Sequence, residues 1–302
     1  MRDTRHFVFL YGTTPPRAGA TPERVERAAS RLAARTAGLE LDGLVVYDVQ
    51  DERERVAQPR PFPFLPTLES RTYSSLLREK AGRDVICYKC VAAMNGSEWQ
   101  TWLMEMCQSE GDLRCLSLVG RAASGSSTIP LLQAINEASK HPCGFTLGGV
   151  VIPERHRPDR SESERLLAKT EAGCRYFISQ AVYAPDATVR LLRNYAALCR
   201  AQGTEPQRII LTFTPCGSEA TLNFMKWLGI SIPCETERAI LSSGAPLTES
   251  LKACASNLSQ ILEAVGTSEV PLGVNIESVS IRREEIEASV DLYHMLREVT
   301  HK

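Results

Sequence analysis

A chain of 302 residues with 35 basic and 36 acidic side chains has no charge excess to draw it to nucleic acid or an anionic membrane. Its 43% hydrophobic content is that of a globular protein with a sizeable core, and no run approaches the ~20 apolar residues of a membrane helix. The start, MRDTRHFVFLYGTT, is interrupted by Gly12 and Thr13 before a signal peptide could form, and ten cysteines are scattered singly, the pattern of reduced, partly buried thiols in a cytoplasmic protein.

In chain order, His6 to Tyr11 reads as a short apolar strand running into Gly12 to Arg17, GTTPPR. Thr21-Pro22-Glu23 supplies the cap, first-turn proline and early acid of a helix that ends near Gly38. Leu41 to Val49 is a second strand, followed by an acidic rim of Asp48, Asp51 and Glu52. The run Arg60 to Pro66 alternates prolines with apolar residues, so it predicts a packed loop above the rest of the fold. A helix over Thr72 to Ala81 leads to a third strand, Asp84 to Ala93, and a helix from Asn95 to Ser109 carries Trp99 and Trp102 at helix-packing spacing. Leu113 to Val119 is the fourth strand, then a Gly/Ser-rich turn holding Arg121, then a helix through Ala138.

The most informative stretch is Phe145 to Asp186. Phe145 to Ile152 is β-rich and mostly apolar, as in a strand buried on both faces. Pro153 ends it, and a loop with Glu154, Arg155, His156, Arg157 and Asp159 follows. Ser161 and Glu164 form a capping box for a helix bearing Lys169 and closed by Gly173, and Arg175 to Val182 returns as a strand with Gln180 near its carboxyl end. After a helix from Thr188 to Gln202 come a strand at Arg208 to Phe213, two or three helices within Ser218 to Val265, a strand at Val270 to Ser278 and a closing helix from Arg283 to Val299. Eight strand-like runs alternating with helices predict one (β/α)₈ TIM barrel over residues 1–302, its extra length in a proline-rich loop near 58–68 and in helices near 218–265. The carboxyl ends of the strands then share one rim.

Several of these residues resemble the methylenetetrahydrofolate reductase family. The matches are Thr13 to Arg17, Pro153, Glu154, His156, Lys169, Ala172-Gly173, Ser179-Gln180 and Tyr183, with Lys226 to Pro233 and Val270 to Ser278 similar to the family's later segments. The resemblance runs along the whole chain. It implies a TIM barrel that binds a reduced folate, with a glutamine, here Gln180, on the folate. It also implies a flavin that passes hydride from a nicotinamide to the folate methylene, and an acid that protonates the folate nitrogen to open its ring.

The rim departs from that pattern. The family's acid, three residues before Pro-Pro, is Gly12 here; its aspartate after the fourth strand is replaced by Arg121; its third-strand histidine corresponds to Cys87; and its second-strand turn has become Tyr47 to Asp51. Asp48 is therefore the expected replacement acid, with Glu52 beside it, against the plain reading of a solvated acidic turn. Gln180, Asn275 and Glu277 are the expected folate-binding residues; Asn275 and Glu277 alternate on the last strand and share a face, where a buried hydrogen-bonding pair is an equal alternative. Arg121, Glu154, His156 and Lys169 are the expected cofactor-binding residues, each with a solvated or surface-paired alternative. Cys87 and Cys90 point to opposite faces of a strand, so no metal site is expected from them.

These observations predict a methylenetetrahydrofolate reductase-like oxidoreductase that uses NAD(P)H and a tetrahydrofolate derivative. Its FAD site is altered or lost, so flavin binding stays open. The alternatives are a tetrahydrofolate-dependent one-carbon transfer enzyme and a non-catalytic folate-binding subunit. The expected partner is a small folate, with neither nucleic acid nor membrane, and a homo-oligomer is compatible with the sequence.

Overall fold

The computed structural model describes residues 6–51, 59–109, 112–120, 128–157, 161–266 and 270–301. Eight strands, all parallel, close into a barrel in sequence order: β1 (Val8–Thr13), β2 (Gly43–Val46), β3 (Val85–Cys90), β4 (Cys115–Val119), β5 (Thr146–Val151), β6 (Cys174–Ala181), β7 (Arg208–Phe213) and β8 (Leu272–Ile276). The strand β8 pairs with both β7 and β1, so no edge is left open. Around it lie α1 (Pro22–Thr36), α2 (Ser70–Ala81), α3 (Gly96–Cys107), α4 (Leu131–Ser139), α5 (Glu162–Ala172), α6 (Pro185–Ala201), α7 (Glu219–Trp227), α8 (Cys234–Ser242), α9 (Pro246–Val265) and α10 (Arg283–Thr300). The fold is the TIM barrel expected from the sequence.

Local chemistry sets these boundaries. The Ser161 hydroxyl accepts from the Glu164 N–H to start α5, and Gly173 ends it at a φ of 133°. A full capping box joins Asn95 and Glu98 at the start of α3. The second strand is shorter than the sequence suggests, because Tyr47 and Asp48 leave the ladder for the rim. The helix α2 begins at Ser70, two residues earlier than expected, since the Glu69 carboxylate accepts from the Thr72 N–H and caps it.

Alternation along each strand separates two packed regions. Outward residues pack against the helices. Inward residues Val8, Leu10, Val45, Ile86, Tyr88, Tyr176, Ile178 and Ile210 fill the barrel. Gly148 belongs to this filling. A β-carbon there would lie 2.2 Å from the Tyr176 ring, whose hydroxyl donates to the Leu116 carbonyl across the barrel at 2.8 Å. The interior is thus plugged by Tyr176.

The expectation that every cysteine is a free thiol is corrected. Cys107, at the end of α3, pairs in a disulfide with Cys143 before β5, with their Cα atoms 5.9 Å apart. His141 brings its ring nitrogen within 4.8 Å of both sulfurs. This cluster lies where helices return to strands, at the amino-terminal end of the barrel, opposite the rim.

Candidate functional site

At the carboxyl rim the inward positions change from apolar to polar. On β8, Asn275 follows the filled layer, and Glu277 comes two residues later on the same face. Asn275 is fully buried; its Nδ2 donates to the Tyr47 hydroxyl at 2.8 Å and to Thr212 Oγ1 at 3.2 Å. Because the Tyr47 oxygen already accepts from Asn275, its proton points to Glu277, with which it is hydrogen-bonded. The chain Thr212, Asn275, Tyr47, Glu277 therefore ends on a carboxyl group. The Oδ1 of Asn275 is buried without a hydrogen-bond partner among the described residues.

Burial pushes the Glu277 carboxyl up to about 7, against the lowering effect of the Tyr47 hydrogen bond. Burial and the neighbouring Glu277 hold the Tyr47 hydroxyl well above its ordinary range, so it stays a proton donor. A carboxyl that titrates near neutrality can both give and take a proton under ordinary conditions. Tyr47 is fixed in turn by an edge-on contact with Tyr88, their ring centroids 4.8 Å apart.

Gly12 makes this arrangement fit. A β-carbon on residue 12 would come within 2.9 Å of Tyr47 Cε2 and 3.2 Å of Glu277 Cβ. The space a longer residue 12 would fill is taken by Tyr47 and Glu277. The sequence pairs Glu277 with Asn275 on one strand face and does not by itself bring Tyr47 to them. The signal available was alternation: with Val45 inward, Tyr47 is inward and Asp48 is not.

The remaining expected residues are placed as follows. Gln180 lies at the carboxyl end of β6, past a register irregularity between Ile178 and Ala181, half-buried, with Nε2 donating to the Leu228 carbonyl at 2.7 Å. That bond ties the rim to the end of α7. The Asp48 carboxylate accepts from the Cys90 N–H at 2.8 Å and from Gln50 Nε2 at 2.8 Å. It bridges the ends of β2 and β3, and the carboxyl hydrogen-bonded to Tyr47 is that of Glu277. Glu52, Arg121 and Asp159 lie outside the described residues.

Glu154 and His156 lie at the turn after β5, and Lys169 lies on α5. His156 Nε2 is 2.6 Å from Asn194 Nδ2 on α6, and the turn Pro153–Arg155 packs on that helix. Glu154 has Oε2 buried without a partner among the described residues, and burial raises its carboxyl above the usual range. Lys169 lies outside the barrel wall. Its stem covers Gly149, its ring neighbour is the outward Phe177 at 5.9 Å, and its Nζ donates to the Val150 carbonyl at 2.7 Å. Burial lowers its ammonium below the ordinary range. Lys169 is thus held at the Val150 carbonyl on the outer side of the barrel wall.

The proline-rich segment forms a strap over one side of the rim. It is pinned by a bridge between Arg17 and Thr67, with Ala18 N donating to Pro66 O and Leu68 N to Pro16 O, both at 2.8 Å. Its other end reaches α7, where the Arg60 guanidinium sits 5.3, 5.4 and 5.0 Å from the ring centroids of Phe64, Phe224 and Trp227. Strap, α7 and Gln180 are thereby one connected wall. No helix among the described residues is long and apolar enough to cross a membrane.

No family model matches the chain, and no curated protein sequence does. Among solved structures, an F420-dependent secondary alcohol dehydrogenase in complex with an F420-acetone adduct is similar at 10% identity. It covers 98% of this chain and 99% of that one with a TM-score of 0.53, a likeness of fold alone. A far nearer similarity is to an uncharacterised protein from Clostridium thermocellum that binds two copies of 5-methyl-5,6,7,8-tetrahydrofolic acid. The TM-score is 0.82 and the identity 33%, over 97% of this chain and 95% of that one. Identity at that level over nearly the whole of both barrels places this chain in the same family as the Clostridium thermocellum folate-binding protein.

Proposed function

We propose that this barrel binds a reduced folate at its carboxyl rim and acts as a methylenetetrahydrofolate reductase-like oxidoreductase, with Glu277 in the role the family gives to the acid missing at Gly12. The observation that carries the reading is the near-neutral Glu277 carboxyl, set against Tyr47 in the volume that Gly12 leaves open. The 33% identical relative that binds a methyl-tetrahydrofolate supports the ligand class.

In this reading the Glu277 carboxyl donates its proton to a nitrogen of the folate's five-membered ring. The carbon–nitrogen bond breaks and leaves a methylene iminium. Hydride from a reduced nicotinamide adds to that carbon, giving methyltetrahydrofolate and the oxidised nicotinamide, and Glu277 regains a proton from solvent. Tyr47 and Asn275 hold the carboxyl in place, and the Tyr47 proton stabilises the carboxylate left behind. Gln180 offers its amide to the pterin. Because Lys169 and His156 are already engaged by the Val150 carbonyl and Asn194, direct transfer from NAD(P)H as a co-substrate is favoured over transfer through a resident flavin. Holding both molecules together would then supply much of the rate.

Purified protein should oxidise NADH or NADPH in the presence of methylenetetrahydrofolate, and its absorbance spectrum should lack a flavin band. A yellow protein would overturn the direct-transfer version. A second reading keeps the folate and drops the reductase. The relative holds two copies of a methylated folate, which suits one-carbon transfer or a binding role. Tight folate binding with no nicotinamide oxidation would select it.

A further inference from the structure

At the end of the barrel opposite the rim, three metal-binding side chains meet. Cys107 is the last residue of α3, and His141 and Cys143 lie in the loop between α4 and β5. The two sulfurs and a His141 ring nitrogen all lie within 4.8 Å of one another, and all three residues are half-buried. Among the described residues no other group of cysteine, histidine and carboxylate side chains converges in this way. The other eight cysteines form no bridge.

The surroundings suit a metal. The Cys143 N–H donates to His141 Nδ1 at 3.3 Å, so Nδ1 carries a lone pair and the proton of the neutral ring sits on Nε2. A bond that long gives way readily to a metal. Phe145 lies against the imidazole, their ring centroids 5.3 Å apart, and restricts its rotation. Arg114 Nη1 donates to Cys107 Sγ at 3.9 Å, and its Nε pairs with Asp112 at 2.5 Å. A guanidinium in that place steadies a thiolate once the bridge is opened.

We infer that Cys107, Cys143 and His141 bind a zinc ion when the two cysteines are reduced, and that the disulfide is the oxidised form of the same site. Two thiolates and an imidazole are zinc's preferred donors, and three protein ligands leave its fourth position to water. Zn–S bonds of ~2.3 Å and Zn–N bonds of ~2.0–2.1 Å put tetrahedral donors ~3.5–3.8 Å apart. Disulfide sulfurs stand ~2.05 Å apart, so the pair has only to part by ~1.7 Å, which side-chain rotation supplies. Two thiolates also neutralise the ion's charge, as a half-buried centre requires. The ion would replace the disulfide as the tie between α3 and the loop before β5, across a separation of 36 residues. None of this depends on the folate site at the rim.

The test uses full-length protein, oxidised or reduced with a phosphine. The phosphine is oxidised by taking the oxygen of one water; the S–S bond breaks, and each sulfur takes one of that water's protons. Zinc chloride then displaces both thiol protons to solvent. After dialysis, metal analysis should find about one zinc ion per reduced chain and none on the oxidised chain. Zinc should raise the melting temperature of the reduced protein alone. Cobalt(II) in place of zinc should show thiolate-to-metal absorption in reduced wild type, and Cys107→Ser should abolish tight binding. His141→Ala keeps both thiols and the loop, and should weaken zinc about 100-fold or more, the upper end of what even outer-shell partners cost. Reduced, folded wild type that takes up no zinc overturns the inference and leaves a structural disulfide. Equal uptake by oxidised protein, or wild-type affinity in Cys107→Ser or His141→Ala, places the metal elsewhere and overturns it too.

Discussion

Tyr47 occupies the space in front of Gly12: a β-carbon on residue 12 would stand 2.9 Å from Tyr47 Cε2. An absent side chain on β1 and an aromatic ring after β2 are therefore one feature. Together they deliver the Tyr47 hydroxyl to Glu277.

Gly12→Ala should destabilise the protein by about 1–3 kcal/mol, the usual cost of overpacking. The ring cannot swing aside freely, because Tyr88 and the Asn275 hydrogen bond hold it. Thermal melts of the variant against wild type measure this. An unchanged melting temperature would show that Tyr47 gives way.

Glu277→Gln tests the acid. The Glu277 carboxyl titrates near 7 when folded and near 4.5 when unfolded, so the folded protein holds this proton more tightly. The stability that goes with the neutral form is complete below pH ~4.5 and is lost as pH rises through 7. The glutamine variant keeps a neutral group throughout. Relative to wild type it should gain on the order of 1–3 kcal/mol between pH 5 and pH 8. If Glu277 is the proton donor, turnover in wild type falls above pH ~7, and the variant is slow at every pH. A wild-type melting curve flat across that range would remove the raised carboxyl.

Gln180→Ala removes the amide expected on the pterin and also its hydrogen bond to the Leu228 carbonyl. Folate affinity should weaken by on the order of 1–3 kcal/mol. Calorimetry with 5-methyltetrahydrofolate reads this directly, and unchanged affinity would take Gln180 out of the binding site.

Asp48→Asn should leave folate affinity and turnover as they are and lower stability by ~1 kcal/mol, through loss of a charge-assisted bond from the Cys90 N–H. Turnover that collapses with intact folding would return Asp48 to the chemistry.

The sequence by itself determined the fold and the end of it that matters. Alternating apolar runs and helix caps such as Ser161 and Asn95 are local signals that need no distant partner, and eight parallel strands allow only one functional rim. It also showed that Gly12 stands where the resembled family has an acid. Tertiary structure alone decided what fills that gap. Tyr47 and Glu277 are 230 positions apart in sequence, and they meet because barrel closure places β8 and β2 on either side of β1. The same closure engaged Asp48 with β3 and turned Lys169 to the outer wall, since a side chain's direction follows the register of neighbouring strands and helices, which no single segment encodes.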